Sequence, residues 1–113
     1  MKQIEKNETQ QSDKEAQAAF AVLIAAIEAN DYASFVTPLD NQMKEALTKP
    51  AFEMVVAQFA SRLKKGCEAK YFGELKTKGY AVHLWKLTFK DQGDDVLAEL
   101  SMKDKKVGGF FLR

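Results

Sequence analysis

Apolar positions in the first half of the chain recur at helical spacing. Ala16, Phe20, Leu23, Ile24 and Ile27 share one stripe and predict an amphipathic helix over residues 13–29. Ser12-Asp13-Lys14-Glu15 ahead of it reads as a capping box, in which Ser12 accepts from the Glu15 amide and the Glu15 carboxylate reaches back. Residues 1–11 are polar, with Ile4 as their aliphatic side chain, and predict a flexible N-terminal tail before a single domain over 12–113. Asn30-Asp31 closes the first helix and caps a short second one carrying Tyr32, Phe35 and Val36. Thr37-Pro38 breaks that piece, and Leu39, Met43, Ala46 and Leu47 predict another. Thr48-Lys49-Pro50 then opens a long helix with Phe52, Val55, Val56, Phe59 and Leu63 as its buried stripe. Lys64 and Lys65 suit its negative end, and Gly66 stops it.

After Gly66 the period changes to two. Strands are predicted near 69–77 and 80–90, joined by a tight turn at Lys78-Gly79. Asp91-Gln92-Gly93-Asp94 turns into a third strand in which Val96, Ala98, Leu100 and Met102 alternate with Leu97, Glu99 and Ser101. Asp104-Lys105-Lys106 leads to a last strand over 107–113, where Gly108-Gly109 marks a kink. Short turns between successive strands imply an antiparallel meander, and helices followed by strands an α+β order.

The second strand is apolar on both sides. Ala81, His83, Trp85, Leu87 and Phe89 point one way; Tyr80, Val82, Leu84, Lys86 and Thr88 point the other. Helices on one side of a sheet leave the second face in need of cover, and a homodimer through that face is the simplest cover. A strand bent around an internal cavity is the competing explanation.

Composition narrows the function classes. The chain has 113 residues, 46% hydrophobic and 29% charged, which fits one globular domain. No apolar run approaches the ~20 residues of a membrane-spanning helix. The net charge is +1, and the two halves on either side of Gly66 carry −1 and +2, too little for a polyanion-binding field. The lysines at 70, 76, 78, 86 and 90 lack interleaved stacking aromatics, so neither nucleic acid nor membrane is expected as a partner. Lys103, Lys105 and Lys106 read as a solvated turn. The polar start Met1-Lys2-Gln3-Ile4-Glu5 has no apolar core behind it and predicts a cytoplasmic protein.

Candidate chemistry is sparse. Cys67 is the single cysteine, without an evident activator, and reads as structural. His83 is the single histidine, so no metal site and no cofactor are expected. Its general-base reading needs a carboxylate partner, for which Asp31 and Glu99 are the candidates. Tyr32, Phe35, Phe59, Tyr71, Trp85 and Phe110, with His83, are candidates to line an aromatic pocket for a small apolar ligand; the alternative is that they are core. Met43, Met54 and Met102 fit core or pocket filling.

Three strings carry a family resemblance: Ile27-Glu28-Ala29-Asn30-Asp31-Tyr32, the helical stretch from Phe52 to Leu63, and Asp104-Lys105-Lys106-Val107-Gly108-Gly109-Phe110-Phe111-Leu112. Over about Ser12 to Arg113 the chain resembles the nuclear transport factor 2-like (cystatin-like) superfamily, and within it small bacterial domains of unknown function. The resemblance implies N-terminal helices packed on a curved four-stranded antiparallel sheet, a cone with an apolar pocket, and frequent dimerisation. That superfamily holds isomerases, cyclases, dehydratases and non-catalytic members alike, so fold leaves function open. The leading expectation is a non-catalytic small-molecule-binding or protein-interaction domain. The alternative is a small isomerase, cyclase or hydro-lyase using His83 with Asp31 or Glu99 on an apolar substrate. It requires His83 inside the cone, beside a carboxylate and open to solvent.

Overall fold

A computed structural model describes residues 2–113, with side chains described from Asp13 onward. Four helices, α1 (Lys2–Ala29), α2 (Tyr32–Phe35), α3 (Asn41–Ala46) and α4 (Lys49–Lys65), precede four strands, β1 (Cys67–Thr77), β2 (Tyr80–Phe89), β3 (Val96–Lys103) and β4 (Lys106–Leu112). The strands form one antiparallel sheet in the order β1-β2-β3-β4, an open α+β meander. α1 runs through Ser12 instead of starting there, in keeping with the Lys, Gln and Glu content of its first turns. The Ser12 cap and the loose tail expected over residues 1–11 fall on residues whose side chains lie outside those described.

Local chemistry sets the later helix starts. Asp31 accepts from the Ser34 amide at 3.1 Å, Asp40 from Met43 at 2.7 Å and Thr48 from Ala51 at 3.3 Å. α4 ends at Gly66, whose φ of 120° few side-chain-bearing residues adopt; a Cβ there would sit 2.6 Å from Lys90 Cδ. Near that end Arg62 crosses to the β2–β3 turn, with Nε 2.6 Å from Asp91 Oδ2 and its guanidinium 3.9 Å above the Phe89 ring.

Two bulges bend the sheet. One lies between Tyr71 and Gly73 in β1, so Phe72 is the extra residue; the other shifts β4 between Val107 and Gly109, as Gly108-Gly109 led us to expect. At Gly108 a Cβ would come within 2.7 Å of the Tyr80 ring, so close approach requires the glycine. Beyond β4 the segment around Leu39 adds a short parallel bridge to Val107, with Val107 donating to the Pro38 carbonyl and Asp40 to the Val107 carbonyl, both at 2.8 Å. Leu39 itself is buried, so the break after Thr37-Pro38 yields an edge cover before α3 begins.

The helices cover one face of the sheet. Leu23 and Ile27 of α1, Phe35 of α2 and Phe52 of α4 are fully buried, as are Leu87, Leu100 and Val107 from the strands. Phe20 lies flat on Trp85, with ring centroids 4.2 Å apart and an interplanar angle of 4°. Met54 departs from the expectation of a core methionine: it is 73% exposed on the outer side of α4, because it follows Phe52 by two residues, roughly 200° round the helix from the Phe52–Phe59–Leu63 stripe.

The Phe20–Trp85 stack yields a stability prediction. Phe20→Ala should lower the unfolding free energy by about 3–5 kcal/mol, because both transfer and cavity terms are lost. Urea unfolding followed by circular dichroism measures this, and Trp85 fluorescence should shift to the red as its ring meets water. An unchanged midpoint would remove the stack from the interactions that hold α1 to the sheet.

Candidate functional site

The inner face of the sheet is organised in rows across the strands. Tyr71, Trp85, Ala98 and Leu112 form one row, and Glu74, His83, Leu100 and Phe110 the next. Glu74 reaches this face because the bulge at Phe72 reverses the alternation of β1 after Tyr71. From the helix side, Asp13 stands on the stripe of Ala16, Phe20, Leu23 and Ile27, one turn earlier.

These residues build a buried polar cluster. His83 has no solvent exposure. Tyr71 donates its hydroxyl proton to Asp13 Oδ1 at 3.0 Å, and its oxygen lies 2.8 Å from His83 Nδ1. The Tyr71 hydroxyl thus links Asp13 of α1 to the His83 ring of β2. On the other side Nε2 stands 3.6 Å from Glu74 Oε2, and Asp13 Oδ1 is 3.8 Å from Nδ1. Burial pushes the His83 pKa below its ordinary value, against the opposing pull of Glu74 and Asp13. Burial, reinforced by the hydrogen bond to Asp13, pushes the Tyr71 hydroxyl well above the usual phenol range. A neutral imidazole tied to a phenol and a carboxylate anchors α1 on the sheet.

The carboxylates expected beside His83 lie elsewhere. Asp31 caps α2, accepting from the Ser34 amide and, at 2.6 Å, from its hydroxyl; those bonds hold its carboxyl below the usual range. Glu99 alternates with the inward Ala98 and Leu100, so it faces outward, where Arg113 Nη2 lies 3.2 Å away. Asp13 and Glu74 take the places considered for Asp31 and Glu99. Extending the apolar stripe of α1 back by one turn would have found Asp13. Glu74 left no comparable trace, since strict alternation cannot register a bulge.

The seven candidate ligand-binding residues divide into separate groups. Tyr71, His83 and Trp85 lie together under α1, with Tyr71 5.4 Å and His83 6.2 Å from Trp85 between ring centroids. Phe35, Phe59 and Phe110 instead line a groove of about 220 Å³ between the α3–α4 region and β4, along with Leu47, Val55 and Gln58. Tyr32 packs on Phe52 at 5.5 Å and donates to the Leu47 carbonyl at 2.9 Å, fastening α2 to the end of α3. Cys67 is partly buried, and burial pushes its thiol up, which fits the structural reading. Among the described residues no group of three His, Cys, Asp or Glu is placed to hold a metal ion, and no helix is long and apolar enough to cross a membrane.

The other face of the sheet is uncovered. Phe72, Leu75 and Phe111 are 55%, 59% and 56% exposed there, and Val82, Leu84 and Leu97 lie half-buried between them. The rows are Lys70–Lys86–Leu97, continued by the backbone pair of Leu97 with Arg113, then Gly73–Leu84–Glu99–Phe111, then Leu75–Val82–Ser101–Gly109. Lys86 pairs with Asp95 at 3.7 Å, so two of the cations at this end, Lys86 and Arg113, have carboxylate neighbours.

No protein-family model and no curated protein matches the chain. Among solved structures it is similar to an uncharacterized cystatin fold protein from Novosphingobium aromaticivorans, at 17% identity over 85% of this chain and 95% of that one, with a TM-score of 0.46. The α+β architecture described above rests on the strand order and register of this chain itself.

Burial of neutral His83 gives stability a pH dependence of defined sign. Its folded pKa is lowered, so the unfolded chain takes up the proton more readily. Its contribution is complete above the unfolded value near 6.5 and is lost as pH falls below it. Melting temperatures taken between pH 8 and 5 should therefore decline more steeply for the wild type than for His83→Gln. Parallel profiles would mean that His83 does not titrate on unfolding.

Proposed function

We propose that the chain is a non-catalytic interaction domain that self-associates as a homodimer through the outer face of its sheet. The carrying observation is that face: Phe72, Leu75 and Phe111, each more than half exposed, surround Val82, Leu84 and Leu97 on four hydrogen-bonded strands. Contiguous exposed apolar surface on a sheet is the usual mark of an interface. A two-fold dimer satisfies it without a second gene product, because the same patch serves both sides. The carboxylates beside Lys86 and Arg113 favour a solvated rim over a track for a polyanion.

The catalytic alternative draws little support from the geometry. Proton transfer needs the base within hydrogen-bond reach of substrate, and the His83 imidazole is enclosed by Tyr71, Asp13 and Glu74. A second reading, binding of a small apolar molecule, is favoured by the groove of about 220 Å³ at Phe35, Phe59 and Phe110. Those three rings belong to three different elements and converge on one side of β4.

Native mass spectrometry and light scattering test both readings. The untagged protein should run as a dimer at tens of micromolar, and Phe111→Asp should run as a monomer with an unchanged circular dichroism spectrum. A monomeric wild type would sink the interaction reading. Gentle ionisation should retain an added mass of a few hundred daltons if the groove is occupied, and Val55→Trp, which fills it, should shed that mass; no retained mass counts against the ligand reading.

A further inference from the structure

The outer face carries both a projection and a depression. Leu75, Val82, Ser101 and Gly109 stand in one row across the four strands. The row begins at the exposed Leu75 on β1 and ends on β4 at a residue with no side chain. Beside Gly108 and Gly109 lies a trough of about 330 Å³, walled by Tyr80, Val82, Ser101 and Phe111, with Met43 of α3 on one side and Thr77 and Lys78 at the β1–β2 turn. The trough is mostly apolar and of ample size for a leucine side chain. The Gly108 bulge that brings the Tyr80 ring close also sets one of its walls.

Symmetry decides which copies of these features can meet. When two sheets pack face to face, a two-fold axis running along the strands reverses strand order and preserves the rows. β1 then lies over β4 of the second copy, and β2 over β3. An axis running across the strands instead sets β1 on β1 and β4 on β4 and reverses the rows, so Leu75 on β1 does not come over Gly109 on β4. Aligned packing of sheets about 10 Å apart requires interdigitated side chains, which only the first arrangement supplies here. The same arrangement brings the Phe72 region over Phe111. Four strands of about eight residues present roughly 500 Å² in projection, to which side-chain relief adds. That approaches the ~800 Å² per partner of a standard interface.

We propose that Leu75 of each copy seats in the trough over Gly109 of a second copy, twice across a two-fold axis parallel to the strands. This deepens the self-association reading and rests on it. The partner is a second copy of this chain because one face holds both halves of the fit.

A size swap tests the register. Gly109→Val adds bulk to the trough; the atoms nearest a Cβ at Gly109 are those of Ser101, from 3.4 Å, and of the Phe111 ring at 3.8 Å, so the Cβ itself fits. Leu75→Ala removes the projection. Sedimentation velocity should show each single variant dimerising at least tenfold more weakly, with native circular dichroism spectra. The double variant, with bulk moved from one position to the other, should recover most of that loss. Additive losses without recovery, or single variants that dimerise like the wild type while Phe111→Asp is monomeric, would overturn this register and leave self-association standing. A monomeric wild type would remove both. Should Gly109→Val perturb the fold, Gly109→Ala gives the same test with a smaller expected loss.

Discussion

Where Phe20 lies on Trp85, the helical half of the chain meets the sheet half ring against ring. Trp85 occupies the middle of a cross-sheet row, next to the small Ala98, and the alanines at 16 and 19 let α1 come near it. Flat contact between two rings, flanked on the helix by Ala16 and Ala19, fixes both the distance and the roll of α1 at this point. Asp13 lies on the same stripe two turns before Phe20, so the stack also determines whether Asp13 can meet Tyr71. Through Tyr71 it reaches His83, whose dry surroundings push its pKa down. A buried polar network of this kind is stable only when each member has its partner, so its integrity follows from the position of one helix.

Irregularities in the strands shape the rest. A regular β1 would have kept one parity throughout, with Glu74 pointing to solvent and Leu75 turned toward His83. The extra residue at Phe72 reverses that assignment, placing a carboxylate inside and a leucine outside. Gly108 has a matching effect in β4, where the bend accommodates the Tyr80 ring and leaves a hollow beside Phe111. Both faces therefore owe their character to single residues that do not join the ladder.

Much of the fold was legible because its signals are local. Asp31, Thr48, Pro50 and Gly66 mark helix ends by their own chemistry, and the turns at Lys78-Gly79 and Asp104-Lys105 separate runs of clear alternation. The start of α1 was misplaced because Ser12 and Glu15 form a convincing cap in isolation, while the preceding Lys, Gln and Glu residues can simply continue the helix. The candidate site was only partly readable. Tyr71, His83 and Trp85 share a face by alternation and do lie together, whereas Phe35, Phe59 and Phe110 converge on the opposite flank through packing that no single segment encodes. Asp31 and Glu99 were reasonable partners for His83 by chemistry alone. Helix capping in one case and strand parity in the other direct them away.

The bridge between Leu39 and Val107 has a bearing on how the molecule comes into being. Every other strand pairing joins neighbours in the chain, and each hairpin can close over a short turn as soon as its two strands exist. Leu39 belongs to the helical half, yet its backbone partner lies in β4, the strand made after all the others. On a ribosome, the helices and the first hairpins can form while this junction is still open, leaving the apolar ring of core residues around Leu39 waiting for β4. Closure of that long loop then locks two separately formed halves together. Val107, fully buried itself, thus serves this closure and the finished core together.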